Sequence, residues 1–580
     1  MTRVKKPLLG IALTGLTLSL VAACGSSGNG GGNNNATSGS STSAPSVGAP
    51  PTVKDQGKND IAPTPRAQVK QGGTFSWALS SVIPNFNYYE LDGSLLDNIH
   101  ILNGLLPRPF EFNAAAVPTV NKDYYTSITK TSDSPLTIDY KINPKAKWSD
   151  GTPITWEDLQ GLWKATNGKA SGYKISASQG MDQIQSVEKG ANDQEAIVKF
   201  AKPYTDWQSL FDPLVPKALT ATATAFNSSW TDHPLVTAGP FKWGSQNKTA
   251  KTYTIVRDPN WWGDKAKLDS ITFVVYNDPG AAVQALGTKN GLDYDDITFG
   301  DEVANVKAAS KYSAIDIRQA GSNIYRQFTI NTKQGPLTDE RVRQAIVLGI
   351  DRAGITKALE GALGGNPTPL QNHFFMKNQA AYTETCGTFC NYDQQKAEQL
   401  LQSAGWKKSG AYYSKNGQQL SVAITIPSDT PNSKLEAQVA QATLAKVGIK
   451  LTLKTVPTDD FFPKYINIGN FELTTFTWIG TPFPVGGALA IFKYDPKNIG
   501  QNYGRGGTAQ INGLLAQAAS APSSDKENAL ANQASKLMWS NASWLPLYQK
   551  PQAVAVKKTL VNIGAEGFAS YRYQDMGYKA

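Results

Sequence analysis

Residues 420–456 constrain the fold more than any other stretch of this chain. LSVAITI and IKLTLKTV are β-like runs. They bracket SKLEAQVAQATLAKVG, a helix expected to stop at Gly448. Strand, helix and strand in that order form a β-α-β unit, whose register suits a parallel sheet covered by helices. LTIDYKI alternates, with Ile138, Tyr140 and Ile142 on one face, and GGTFSWAL, QEAIVKFA, YTIVRD and DSITFVVY read as further strands. A long helix is expected over TDERVRQAIVLGIDRAGITKALEG, with Thr338 as N-cap, Val342, Ile346, Ile350 and Ile355 near one stripe, and Gly361 at its end. YDQQKAEQLLQSAGW is a second amphipathic helix, with Ala397, Leu400, Leu401 and Ala404 inward and Gly405 as stop. The fold class is therefore α/β. At 580 residues the chain needs two or three lobes, each with its own core.

The N-terminus reads as an address. Arg3, Lys5 and Lys6 precede PLLGIALTGLTLSLVAA, which has the length of a signal h-region and is short for a membrane span. The run ends in VAAC, which resembles a bacterial lipobox, so residues 1–23 are expected to be a signal peptide and Cys24 the lipidated residue. Residues 24–70 are dominated by Gly, Ser, Asn and Pro with no repeating apolar face, the composition of a disordered tether. Its typical reach is about 35–40 Å. The formal charge is +10, but the basic residues are scattered, with no run of five and no nucleic-acid motif. A mildly basic, solvated surface near an anionic bilayer fits better.

Beyond Cys24, only Cys386 and Cys390 remain, in CGTFC, and outside the cytoplasm such a pair implies a disulfide. The three histidines, His100, His233 and His373, lie far apart in sequence, and no metal site or cofactor is expected from them.

KWSDGTPITWEDL (147–159) carries three carboxylates, Asp150, Glu157 and Asp158, and could be mistaken for acid/base machinery. It parses as scaffold. Asp150-Gly151 makes a turn. Thr155 caps a helix with Asp158 as the reciprocal capping-box partner, and both Glu157 and Asp158 lie in the first turn, where the helix dipole favours negative charge. Two opposed carboxylates at short range, as a retaining glycosidase needs, are not built from a capped first turn.

The same stretch resembles the W-S-D-G-x-P-[VI]-T-x-x-D-[VL] signature of family 5 solute-binding proteins, the oligopeptide-, dipeptide- and nickel-binding lipoproteins of bacterial ABC importers. TAGPF (237–241), RDPNWWG (257–263), INTKQGPLTDERVRQAIVLGIDR (330–352) and YDQQKAEQLLQSAGW (392–406) resemble further family motifs in the family's order. The likeness covers about residues 72–580. The resemblance implies a periplasmic-binding-protein-like fold of two α/β lobes joined by a hinge. Lobe I would comprise 72–115, 236–320 and 552–580, with 116–235 as an inserted subdomain, and lobe II would comprise 325–551. It further implies a monomer that closes on a peptide or peptide-like solute and passes it, unaltered, to permease subunits with their ATPases.

By position against the family, the cleft residues are expected to be Asn85, Phe86 and Asn87 in one loop, Asp295 and Asp296 after a lobe I strand, Tyr325, Arg326 and Phe328 on a crossing strand, and Trp478, Thr481 and Phe483. Peptide-binding members tend to carry an Asp shortly after the tryptophan, placed to meet the ligand's α-ammonium. Here the matching position is about Thr481, and no acid lies between Trp478 and Pro484. Asp295 or Asp296 could serve as the cation partner instead. A carbohydrate- or glycolipid-binding member would keep the fold and stack aromatics on sugar faces, and a regulatory member of the same fold would have a cleft that is blocked or unable to close. A secreted hydrolase would need a nucleophile set, zinc motif or opposed carboxylates, and G-x-S-x-G, H-E-x-x-H and the P-loop are all missing.

Overall fold

The computed structural model describes residues 59–580 apart from 179, 290, 299–301, 364–366, 429 and 497–498. The expected signal peptide, Cys24 and the tether up to residue 58 lie outside the described residues. The tether was expected to run to residue 70, and here the structure differs. Asp60 bridges to Ala565 and Val69 to Lys579, and the Asn562 side chain accepts from Thr64 N–H at 2.7 Å. Residues 59–70 find backbone partners in the C-terminal segment, which a sequence window without an apolar face does not reveal.

One ten-stranded sheet runs through the body. Its order is Lys450–Val456, Ser421–Pro427, Leu473–Ile479, Ile315–Ile330, Trp544–Lys557, Tyr294–Asp296, Thr74–Leu79, Ser270–Val275, Thr252–Arg257 and Phe241–Asn247. The two long central strands, Ile315–Ile330 and Trp544–Lys557, pair antiparallel along nearly their whole length. Their register shifts between Gly321 and Tyr325 and again between Arg326 and Gln327, so the ladder is interrupted there. In lobe II, Ser421–Pro427 and Lys450–Val456 are parallel and connected by the helix Pro431–Val447, which stops at Gly448 with φ +85°. In lobe I, Thr74–Leu79 is parallel to both Ser270–Val275 and Tyr294–Asp296.

Residues 116–235 hold a separate antiparallel sheet of Tyr125–Asp133, Leu136–Ile142, Glu195–Phe200 and Ile184–Lys189. Ile138, Tyr140 and Ile142 are all buried, as their alternation requires. Beside it, the helix Trp156–Thr166 opens with the Thr155/Asp158 capping box. Thr155 N–H donates to Asp158 Oδ2 at 2.8 Å, and Lys217 N–H donates to Asp158 Oδ1 at 2.8 Å. Glu157 pairs with Lys217, and Asp150 Oδ1 accepts from Thr152 N–H at 2.9 Å. All three carboxylates of KWSDGTPITWEDL are thus engaged in local architecture.

The long helix expected from Asp339 to Gly361 is two helices, Glu340–Gly349 and Arg352–Glu360. Asp339, not Thr338, caps the first, accepting from Arg341 N–H at 3.0 Å. Ile350 is extended, and Asp351 caps the second helix by accepting from Gly354 N–H at 2.8 Å. An Asp offers this alternative to helix continuation, and an apolar stripe that runs through the break conceals it. Cys386 and Cys390 are joined by a disulfide across the turn Gly387–Phe389, with Cα atoms 5.0 Å apart.

Candidate functional site

Three adjoining chambers share walls around the central strands. The first, of about 450 Å³, is aromatic and belongs to lobe II. The strand Leu473–Ile479 places Phe476 and Trp478 on one face, because side chains two residues apart share a side. Trp478 is the register partner of Tyr325 on the crossing strand, and their rings lie 6.5 Å apart at 18°. Phe476 sits 5.0 Å from Trp478, and Phe374, Phe462, Phe492 and Tyr503 add further aromatic lining. The Trp478 indole N–H is buried without a partner among the described residues.

The second chamber, of about 470 Å³, has walls from lobe I, the insert and lobe II, including Tyr88, Arg108, Phe112, Thr481, Phe483 and Glu566. Phe483 reaches across to Phe112, edge to face at 5.6 Å. Arg108 is held by a two-pronged pair with Asp212, Nε and Nη2 donating at 2.7 and 2.8 Å. Burial pushes the Glu566 carboxyl up to about 8, and Tyr571 O–H and Gln552 Nε2 donate to it. Beside this chamber the insert meets lobe II, where Gly486 N–H donates to the buried Asp206 Oδ2 at 2.7 Å and Thr205 Oγ1 donates to Ala521 O at 2.9 Å.

The third chamber, of about 330 Å³, is lined by Trp77, Asp97, His100, Asp295 and Asp296 from lobe I and by Ile479 from lobe II. Burial, and then the charge of Asp296, push the Asp295 carboxyl up to about 7. Burial also lowers His100 and so favours its neutral form. The chambers share walls: Thr481 and Gly487 belong to the first and second, Ile479 to the first and third, and Leu96 and His100 to the second and third.

Six of the expected site residues therefore come together: Asp295, Asp296, Tyr325, Trp478, Thr481 and Phe483. Five are placed elsewhere. The loop 85–87 folds on itself. Asn85 Nδ2 donates to Glu90 and Asn227 O, Asn87 Nδ2 donates to Phe226 O at 2.8 Å, and Phe86 is fully buried against Trp243 and Tyr253. Arg326 and Phe328 point to the opposite face of the crossing strand from Tyr325. Phe328 belongs to the lobe II core, and Arg326 is bound to Glu436, Ser433 and Thr477. His373 lines the aromatic chamber, but its ring nitrogens are occupied by Ser535 Oγ and Trp544 O, and burial depresses its pKa to about 3.

Sequence reasoning missed Phe476, Phe462, Tyr503, His100 and Glu566. Of these, only Phe476 left a signal, two residues before Trp478 on the same strand. Among the described residues, no group of three His, Cys, Asp or Glu side chains is placed to hold a metal ion.

A hinged pair of α/β lobes around a chambered, aromatic-walled cleft defines the class of two-lobed solute-binding proteins. Residues 119–499 match the model of the bacterial extracellular solute-binding proteins, family 5 Middle, and the chain belongs to that family of ABC-importer binding components. The chain is 36% identical over 524 residues to the oligopeptide-binding protein OppA of Mycobacterium tuberculosis, covering 90% of this chain and 87% of that one. Among solved structures, the periplasmic EDTA-binding protein EppA superposes with a TM-score of 0.80 at 25% identity, covering 90% of this chain and 99% of its own. The oligopeptide-binding protein AppA from Bacillus subtilis, in complex with a nonapeptide, superposes with a TM-score of 0.68 at 20% identity, covering 88% and 100%.

Proposed function

We propose that this protein is a lipid-anchored extracytoplasmic receptor. It captures a peptide or peptide-like solute between its lobes and delivers it, chemically unchanged, to the permease subunits of an ABC importer while acting as a monomer. The observation that carries the reading is the aromatic chamber around Tyr325, Phe476 and Trp478. It is large enough for an amino-acid side chain and abuts two chambers that supply polar groups. Aromatic walls supply contact area with little sequence preference, which suits a receptor for variable side chains. The similarity to OppA supports a peptide over other solutes. A polyanionic chelate would instead meet Asp295, Asp296 and Glu566, while the nearby Arg108 is already committed to Asp212.

Within this reading, Asp295, Asp296, Tyr325, Trp478, Thr481 and Phe483 contact the solute. The interrupted ladder at Gly321–Gln327 absorbs closure, and Cys24 carries the lipid. Closure works as a switch because the solute touches both lobes only in the closed form.

Native mass spectrometry of freshly purified body, followed by thermal-shift titration with the species recovered, tests the proposal. A retained peptide that raises the melting temperature by mass action is the expected result. Recovery of a sugar, or a solute returned with altered mass after incubation, would overturn it.

A further inference from the structure

The third chamber sits at the carboxyl ends of three lobe I strands. Its walls include Ala78–Ser81 beyond Thr74–Leu79, Tyr276 beyond Ser270–Val275, and Asp295–Ile297 at the end of Tyr294–Asp296. Thr74–Leu79 is parallel to both of the others, and the crevice outside the carboxyl ends of parallel strands is where open α/β sheets bind ligands.

Charge within this crevice is unbalanced. Asp97 is satisfied, its Oδ2 accepting from the backbone N–H and hydroxyl groups of Ser80 and Ser81. Asp296 accepts from Thr298 N–H at 3.0 Å and Gln552 Nε2 at 3.4 Å. Asp295 is different. It lines the chamber at only 7% exposure, and among the described residues its carboxylate has neither a hydrogen bond nor an ion pair. A buried carboxylate without a partner is costly, and the cost is removed when a cation arrives. Among the described residues no Lys or Arg lines the chamber, so nothing on its walls offers Asp295 a counter-charge.

We infer that this lobe I chamber takes a cationic group of the solute, an α-ammonium or a lysyl side chain, on Asp295 with Asp296 alongside. The recognition of positive charge is thereby moved from the segment after Trp478, which carries no acid up to Pro484, to the opposite lobe. Ile479 closes the chamber from lobe II, so a solute seated with its cation here extends past Ile479 into the aromatic chamber. The inference rests on the peptide reading above.

Calorimetric titration with three probes tests it: tetraalanine, N-acetyl-tetraalanine, and N-acetyl-Ala-Lys-Ala-Ala. At pH 8, at least one cationic probe should bind ten-fold or more tighter than N-acetyl-tetraalanine, and which one shows whether the α-amine or the lysyl group is the occupant. The gap should collapse in Asp295→Asn. Should that variant fold poorly, Asp296→Asn and a pH series on the unaltered protein give the same information. The titratable groups lining the chamber are Asp97 and His100 from the helix Leu96–Leu102, Tyr276, and Asp296 beside Asp295, while the helix Pro279–Leu286 contributes only Pro279 and Ala282. The gap should narrow as pH falls from 8 to 6 and Asp295 takes up a proton. A gap that persists in Asp295→Asn, or three probes binding equally, overturns the inference and leaves the peptide reading standing. Failure of all three, and of a mixed tetrapeptide library, overturns both.

Discussion

Glu436 in lobe II and Asp295 in lobe I are both carboxylates withdrawn from water, and they are treated in opposite ways. Glu436 is fully buried and accepts from Arg326 Nε at 2.8 Å, Arg326 Nη2 at 2.7 Å, Thr475 Oγ1 at 2.6 Å and Tyr548 O–H at 2.7 Å. Asp295 has no such partner among the described residues and opens onto a cavity. The first arrangement ties the crossing strand to the helix Pro431–Val447 that covers it. The second leaves a charge waiting for something from outside. Burial alone does not separate a structural charge from a binding charge; the difference lies in whether the protein itself completes the hydrogen-bonding shell.

The largest expected effect attacks the satisfied side of this contrast. Glu436→Gln leaves Arg326 buried without its counter-charge and should lower unfolding free energy by about 3–5 kcal/mol in denaturant titration. A loss under about 1 kcal/mol would mean that the network is not the anchor its geometry suggests.

The next effect has the opposite sign. Asp295 has a folded pKa of about 7 against an ordinary value of 3.8, so the folded state holds its proton more tightly than the unfolded chain. Its contribution to stability is fully present below pH 4 and is lost as pH rises to 7. Asp295→Asn removes that dependence. The solute-free variant should be more stable than the parent at pH 8, by on the order of a few kcal/mol, with the difference shrinking steadily toward pH 4. Thermal melts across that range provide the check, and a destabilised variant at pH 8 would show that Asp295 has a partner after all.

Trp478→Ala should reduce affinity for the recovered solute by about 10–100-fold, roughly 1.4–3 kcal/mol, measured by calorimetry. An unchanged affinity would place the solute outside the aromatic chamber. Smallest of all, Asp158→Ala removes one half of the capping box and the acceptor for Lys217 N–H. It should cost about 1 kcal/mol of stability and leave solute affinity unchanged, separating KWSDGTPITWEDL from the binding function.

Much of the framework could be read from patterns that have a single physical solution. The β-α-β unit at 420–456, the alternation in 136–142 and the Thr155/Asp158 cap each follow from local rules that the tertiary structure had no reason to override. The site was less legible, and the crossing strand shows why. Every residue from Ile324 to Ile330 is buried, so no amphipathic alternation marks which face meets the cleft. Tyr325 faces the cavity, whereas Arg326 and Phe328, expected beside it, face the lobe II core. Asn85 and Asn87 mislead for a related reason. Polar side chains in a loop suggest ligand contact, yet here they supply hydrogen bonds that the loop's own backbone and Phe226 need. His100 and Glu566 were invisible because their place in the cleft depends on residues hundreds of positions away.

The pairing of Asp60 with Ala565 and of Val69 with Lys579 ties the first described residues to the C-terminal segment. Both attachments fall on the segment after the central strand Trp544–Lys557, so in the proposed lipid-anchored receptor a pull from the membrane would reach the body there first. In that proposed arrangement lobe II would swing without dragging the anchor point, and tension from the membrane would do no work against the bite.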